Sequence, residues 1–408
     1  MLWAVVAADL VGFGIVLPLL PVYADELGAS PTSIGVLLAS FSASQLVTAA
    51  FWGRRSDTIG RKPVLIVALI GSVIGSLVTG LASSLTMLVA GRIIDGASGA
   101  SAAVAYSTVA DQTEPEQRPR LMGLIGAAYG VGFVVGPIIG ALGAFVDRRA
   151  PFFLAAGVGV ATTIAAAVRV GETAPLGRSV PSPATGGRRR TADLVVASGL
   201  ATVAFAAFET TLGLLVAHRF GFGFAAVAGL FGAAGIAVAI ANARLVGPFA
   251  DRFGAASALR AALVADAIGL VIVALSGAVA LSVAAVVLVG AAHGVVGPTL
   301  SSLLADRAEA GRRGREFGRQ QSASAAARIV GPVVAGGLFG LAGEGSALIG
   351  AAIVAVAAAV VVERGGRAAA HVAERERSRR LGGRSSVGSP VRRSRTMPRK
   401  CSRSLMLE

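Results

Sequence analysis

GRRSDTIGRK, residues 53–62, is a short charged segment between two long apolar runs, and it returns about 195 residues later as GPFADRFG, residues 247–254. Gly53, Asp57 and Gly60 recur as Gly247, Asp251 and Gly254. Asp111, Arg118 and Gly123 recur as Asp306, Arg313 and Gly318, and Gly136-Pro137 recurs as Gly331-Pro332. Self-similarity at a nearly constant offset marks a chain built from two related halves.

Outward from these segments the chain is apolar. Of its 408 residues 54% are hydrophobic and only 14% charged, too few to clothe a water-facing surface. Runs of about twenty residues, the length a helix needs to cross about 30 Å of hydrocarbon, recur throughout. They fall near 2–21, 32–52, 63–82, 86–109, 121–145, 150–169, 193–217, 223–243, 257–276, 279–303, 317–341 and 344–362. The expected fold is all-α, a polytopic membrane protein with twelve transmembrane helices in two pseudo-symmetric six-helix bundles. Six spans per half make the repeats parallel, related by an axis along the membrane normal. Abundant Gly and Ala within the runs suits helices that pack closely in lipid.

Basic residues gather in alternate loops: Arg54, Arg55, Arg61 and Lys62; Arg118 and Arg120; Arg188 to Arg190; Arg252 and Arg260; Arg312, Arg313 and Arg315. The positive-inside rule places these loops, and both termini, in the cytoplasm. Arg148, Arg149 and Arg219 are the exceptions on the opposite side. The net charge of +15 thus resides in loops and a tail, not on a soluble face that would grip nucleic acid. The run from Leu2 through Pro18 and Pro21 to Asp25 and Glu26 has no basic leader or cleavage site, which reads as a retained helix. Cys401, the single cysteine, excludes an intramolecular disulfide and a multi-cysteine metal site. The expected domains are a first bundle (1–170), a cytoplasmic linker (171–192), a second bundle (193–363) and a disordered basic tail (364–408) able to lie on anionic lipid.

In this order and spacing the motifs resemble the major facilitator superfamily, and within it the twelve-span drug:proton antiporters that include tetracycline exporters. GRRSDTIGRK is similar to the family's loop signature, with Thr58 where a basic residue is usual. Gly123, Gly132, Gly136, Pro137 and Gly140 resemble the antiporter pattern of the fifth span, with Ala141 in place of a final glycine. Asp9, Gly12, Gly14, Pro18 and Pro21 are similar to the opening helix of tetracycline-type exporters, and Arg92 and Gly96 to a fourth-span signature. The resemblance implies that Gly53, Asp57, Gly60, Arg61, Lys62 and Asp111 form a conformational latch. Asp57, Arg61 and Asp111 could act in it as an ion-pair relay, weakened by Thr58. Positive-inside topology alone explains the basic residues but not Asp57. The glycines of the fifth span offer a flat face to another helix, and Pro137 bends it.

Charges inside spans are costly and are paired or face a cavity, which singles out Asp9, Arg92, Asp95, Glu209 and Asp266, with Arg328 nearer a helix end. Asp9 is the first choice for a carboxylate that loads and releases a proton; an interfacial position is its other reading. Arg92 and Asp95, one turn apart, can neutralise each other. Glu209 is read as facing an aqueous cavity or binding a cation, and the resemblance implies that Asp266 lies on a peripheral helix. Gln45 and Asn242 could bind substrate or bond helix to helix.

The expected activity is proton-coupled export of a small lipophilic or drug-like molecule by alternating access. Acidic residues in an apolar cavity point to lipophilic cations or zwitterions. A sugar or metabolite carrier of the same superfamily, and a non-transporting sensor or scaffold, are the alternatives. Enzyme chemistry is not expected, because His218, His293 and His371 are scattered without nucleophile or metal-ligand spacing. The expected partners are a small-molecule substrate, protons and the lipid bilayer of a bacterial inner membrane. No cofactor, metal or nucleic acid is expected, and the chain is read as a monomer.

Overall fold

Pro18 has no N–H to donate and disfavours helical geometry in the residue before it, so the first apolar run breaks in two. In a computed structural model, which describes residues 2–99, 101, 104, 105, 108, 118–171, 191–308 and 313–382, the pieces are α1 (Leu2–Val16) and α2 (Leu20–Glu26). Ser30 caps the next helix by accepting the Ser33 N–H, with Pro31 at its first position, and α3 spans Pro31–Ile59. The first half continues with α4 (Arg61–Gly80), α5 (Leu85–Ser98), α6 (Arg118–Ala144) and α7 (Ala150–Arg169). Helical residues 101, 104, 105 and 108 extend the span of α5. The second half comprises α8 (Ala192–Phe220), α9 (Phe224–Arg244), α10 (Val246–Phe253), α11 (Ala255–Leu275), α12 (Val279–Arg307), α13 (Arg313–Ala342) and α14 (Ser346–Gly382).

With α1–α2 and α9–α10 each counted as one span, these are twelve transmembrane helices in two six-helix bundles. Lipid-facing positions are apolar: Val47, Leu142, Val168, Leu275, Leu341 and Ile353 are all exposed. The repeat read from sequence persists in space. Gly60 (φ 100°) and Gly254 (φ 80°) both turn the chain through backbone that only glycine adopts readily. Gly75 abuts Gly91 and Asp95 of α5, and Gly269 abuts Ala285 and Val289 of α12. All three positions are displaced by the same 194 residues (75 to 269, 91 to 285, 95 to 289).

Close approach of backbones holds each bundle. The glycines of α6 lie against α1, where a methyl group on Gly136 would come within 2.5 Å of the Gly14 carbonyl carbon, and one on Gly132 within 2.5 Å of the Leu10 oxygen. The main contacts that join the bundles are α3 against α13, where a methyl group on Gly336 would come within 2.3 Å of the Pro31 oxygen, and α6 against α9. Both joints belong to the same end of the molecule, which carries loops 27–30, 81–84, 145–149, 221–223, 276–278 and 343–345. There one apolar cluster draws on both halves, with Leu20, Ile34 and Leu37 packed with Leu212, Leu215 and Val227. At the other end the buried apolar residues divide. Val5, Leu65, Leu69 and Val104 cluster within the first half, and Leu194, Leu259, Leu263 and Leu304 within the second. The bundles are therefore clasped at one end and separately packed at the other.

The expectation of a disordered tail from Arg364 does not hold for residues 364–382, which continue α14. This stretch is rich in Ala, Arg and Glu, and elongating an existing helix avoids the cost of nucleation. Linker residues 172–190 and tail residues 383–408 lie outside the described residues.

Gly136→Val should overpack the α1–α6 contact and cost about 1–3 kcal/mol, lowering the melting temperature of detergent-solubilised protein. Gly229→Val, where an added Cβ meets nothing within 4 Å, should leave it unchanged.

Candidate functional site

Arg92 sits on α5 and is 1% exposed, a full positive charge in a setting where an unpaired ion is intolerable. Asp95, one turn on, takes its Nη1 at 2.8 Å. The other Asp95 oxygen accepts the Ser72 hydroxyl of α4, also at 2.8 Å. The guanidinium lies 4.4 Å from the Phe41 ring centroid and 5.6 Å from that of Phe13, so two aromatic faces add cation–π attraction. Its Nε and Nη2 have no hydrogen-bond partner among the described residues.

Arg92 lies in the wall of a small cavity between the bundles. Its wall takes Phe13 from α1, Leu17 from the break after it, Leu38, Phe41 and Ser42 from α3, Arg92 from α5, Glu209 and Thr210 from α8, and Arg328 from α13. Glu209 is buried, and the Arg328 cation lies close enough to act electrostatically on it and on His293. His293 in turn stacks on Phe205 with ring centroids 3.7 Å apart.

Asp9 stands behind this wall. Its carboxylate accepts the Ser101 hydroxyl at 2.5 Å and is within electrostatic reach of Asp95. The placement of Ser101 follows from an interruption after Ser98, where α5 ends. Ahead of Ser101 the Gly99 carbonyl accepts Gln45 Nε2 at 2.9 Å, and the Ala97 carbonyl accepts Trp52 Nε1 at 2.6 Å. Of the two readings of Gln45, the structure has it bonding helix to helix. Asn242 is exposed near the end of α9.

Asp266 is buried on α11 away from the cavity, and its Oδ1 has no partner among the described residues. The repeat explains its setting. At the 194-residue offset (72 to 266, 92 to 286, 95 to 289) Ser72 becomes Asp266, while Arg92 and Asp95 become Val286 and Val289. The second half keeps one buried carboxylate at this helix pair but has no basic residue at the position matching Arg92.

The expectation that acidic residues dominate the cavity is therefore corrected. Glu209 is the acid in the wall, which Arg92 and Arg328 also line, because Asp9 and Asp95 are turned toward Ser101 and Ser72. Phe13 and Phe41 were not singled out from sequence. A phenylalanine facing a cavity and one facing lipid leave the same mark in an apolar run.

The latch segment is partly visible. Arg61 is buried and donates to the Ser56 hydroxyl, Lys62 is half-buried, and the Thr58 hydroxyl donates to the Arg55 carbonyl at 2.9 Å. The side chain of Asp57 and the whole of Asp111 lie outside the described residues, as do Gly123 beyond its helical backbone and the proposed relay itself.

At the clasped end polar contacts reinforce the apolar cluster. His218 of α8 meets Asp25 of α2 at 3.1 Å, joining the halves, and Glu344 at 3.9 Å. The exceptional basic residues of this side find local partners. Arg148 pairs with Glu26 at 3.3 Å. Arg219 pairs with Glu344 at 3.4 Å and donates to the Ala274 and Ser276 carbonyls at the end of α11.

A largely apolar cavity with a few charged residues in its wall, set between two pseudo-symmetric six-helix bundles and closed at one end, is the architecture of an alternating-access membrane transporter. The chain belongs to the Major Facilitator Superfamily, which it matches over residues 2–246 and 243–400. It is 30% identical to tetracycline resistance protein, class C, of Escherichia coli over 82% of this chain and 87% of that protein. To multidrug resistance protein 1 of Bacillus subtilis it is 30% identical over 62% of this chain and 67% of that protein. Identity rises to 40% with the class B tetracycline resistance protein of Escherichia coli, over 38% of this chain and 39% of that protein. Among solved structures, the nucleoside transporter NupG shares the fold with a TM-score of 0.72 at 13% identity, over 89% of this chain and 98% of that one. The human organic anion transporter MFSD10 does so with 0.66 at 23%, over 88% and 97%.

Asp25→Cys with His218→Cys, in a Cys401→Ser background, should link through a short bifunctional thiol reagent and hold the clasped end shut. Transport should then stop and return on reduction of a cleavable linker. Full transport with the link in place would contradict this account of the clasp.

Proposed function

We propose that this protein exports a small lipophilic or drug-like molecule in exchange for protons, its two bundles rocking about the central cavity. The observation that carries this reading is the cavity itself: ionisable Glu209 and Arg92 are held between bundles that share one apolar cluster and separate at the other. A carboxylate at such a joint can couple proton uptake to rearrangement, because its charge state decides which packing is tolerated.

The basic loops belong to the separated end, so the positive-inside rule assigns that end to the cytoplasm and the clasped end to the outside. The state described is then open inward, with both termini cytoplasmic in a bacterial inner membrane. Asp9 and Glu209 are the proposed proton carriers. Substrate would enter between α3, α5, α8 and α13. Asp57, Arg61 and Asp111 would hold the cytoplasmic mouth closed in the opposite state, with residues 171–192 as the link between bundles. Residues 1–170 and 193–363 would move as units, and the chain would work as a monomer without enzymatic chemistry or cofactor. The basic segment after Glu363 would lie near anionic lipid. The relatives' names, tetracycline and multidrug resistance, support export of a drug-like substrate.

In efflux-deficient bacteria the parent should lower accumulation of lipophilic dyes or of tetracycline, and a protonophore should abolish the effect. At equal expression, Asp9→Asn or Glu209→Gln should reduce the exclusion at least about tenfold, the order of effect expected when a proton-transfer group is lost. Protonophore-insensitive exclusion, or full activity in both variants, would defeat the coupling scheme. Net uptake would point instead to a metabolite carrier.

A further inference from the structure

Arg92 is more than a structural ion. If it served only to neutralise Asp95, a buried guanidinium would be expected to have its remaining donors satisfied by protein, because each unsatisfied donor in a dry setting is costly. Asp95 takes Nη1 alone. The Nε and Nη2 edge has no partner among the described residues, although the residue is 1% exposed and borders the central cavity.

That edge has a definite chemistry. Guanidinium nitrogens are donors only, and Nε with one Nη forms the planar fork that matches two oxygens of a carboxylate or enolate. The fork is also held in advance. Asp95 fixes one corner, Ser72 fixes Asp95, and the rings of Phe41 and Phe13 lie 4.4 and 5.6 Å from the guanidinium carbon. A ligand oxygen that reaches this edge as the cavity opens would meet donors already oriented, beside an apolar wall suited to a lipophilic body. A cationic group at this edge would meet like charge and no acceptor.

We propose that the central cavity binds an amphipathic organic acid, its carboxylate or enolate oxygens on the Nε and Nη2 edge of Arg92 and its apolar body along α1 and α3. Glu209 and Arg328 on the opposite wall leave room for a zwitterion but not for a lipophilic cation at the Arg92 edge. This inference rests on the reading of the cavity as the transport site and narrows the substrate class within it.

The test is a matched pair of probes: a rhodamine bearing a free carboxylate and the methyl ester of the same dye. Binding to the purified full-length protein in lipid nanodiscs is followed by fluorescence polarisation, with empty nanodiscs subtracted. Parent and Gly229→Val should prefer the acid by at least about tenfold, the worth of one charge-assisted hydrogen bond. Arg92→Lys, which retains a cation beside Asp95 but not the fork, should reduce the preference to about twofold or less. So should the neutral double variant Arg92→Gln with Asp95→Asn, with folding of both variants checked by thermal melting. Equal binding of the two dyes, preference for the ester, binding of neither, or a preference that survives both Arg92 variants overturns the proposal. Binding is read without transport, so the two readings fail separately. Acid preference in nanodiscs with no proton-driven movement in proteoliposomes refutes export and leaves the acid site standing. Proton-driven export of the ester alone does the reverse.

Discussion

A charge surrounded by hydrocarbon must be paired, wetted or neutralised, and the arrangement of this protein follows from how it treats five of them. Arg92 and Asp95 are placed one turn apart on α5 and braced by Ser72, so the pair is formed within a single bundle and does not depend on how the bundles meet. Replacing one partner alone would leave a buried ion uncompensated, at a cost of about 3–5 kcal/mol. Glu209 has Arg328 nearby and a cavity before it, Asp9 has Ser101, and Asp266 sits where the first half has a serine. The two halves share a backbone plan but distribute charge differently, and that asymmetry sets the polar residues of the first half against those of the second across one cavity.

Between bundles, the contacts are of a kind that can be broken and remade. The clasped end combines glycine-mediated approach of α3 to α13, a shared apolar cluster, the His218 contact with Asp25 and partly exposed ion pairs such as Arg219 with Glu344. Exposed pairs contribute about 0–1 kcal/mol each, so the clasp relies mainly on packing, which can be exchanged for equivalent packing elsewhere. Within the first bundle the α1–α6 glycine contact likewise leaves no space for a methyl group. Rigid-body rocking requires that the joints between bundles part while those inside each bundle persist.

Much of this was legible beforehand. The Gly60 and Gly254 turns, the glycine face of α6 and the pairing of Arg92 with Asp95 are local facts, set by residues a few positions apart or by residue types that only one backbone geometry accepts. The helices read as spans are present for the same reason, since length and apolarity answer directly to bilayer thickness. The tail was misjudged over residues 364–382 because a high content of charge was read as disorder, when Ala, Arg and Glu are also good helix formers next to a helix already made.

From its sequence alone this protein had determined that it crosses the membrane many times, that it is a duplicated structure, and which few charges must be accommodated inside it. Hydropathy and repeat spacing carry that information because lipid imposes the same demand on every segment separately. Only the tertiary structure decided which charges share a cavity. Glu209, Arg328 and Arg92 come from three helices far apart in the chain, while Asp9 and Asp95, carboxylates within spans as Glu209 is, turn toward serines behind the wall. Direction around a helix and the meeting of helices from opposite halves depend on packing between distant segments, and no local pattern records which face of an apolar run meets water, lipid or another helix.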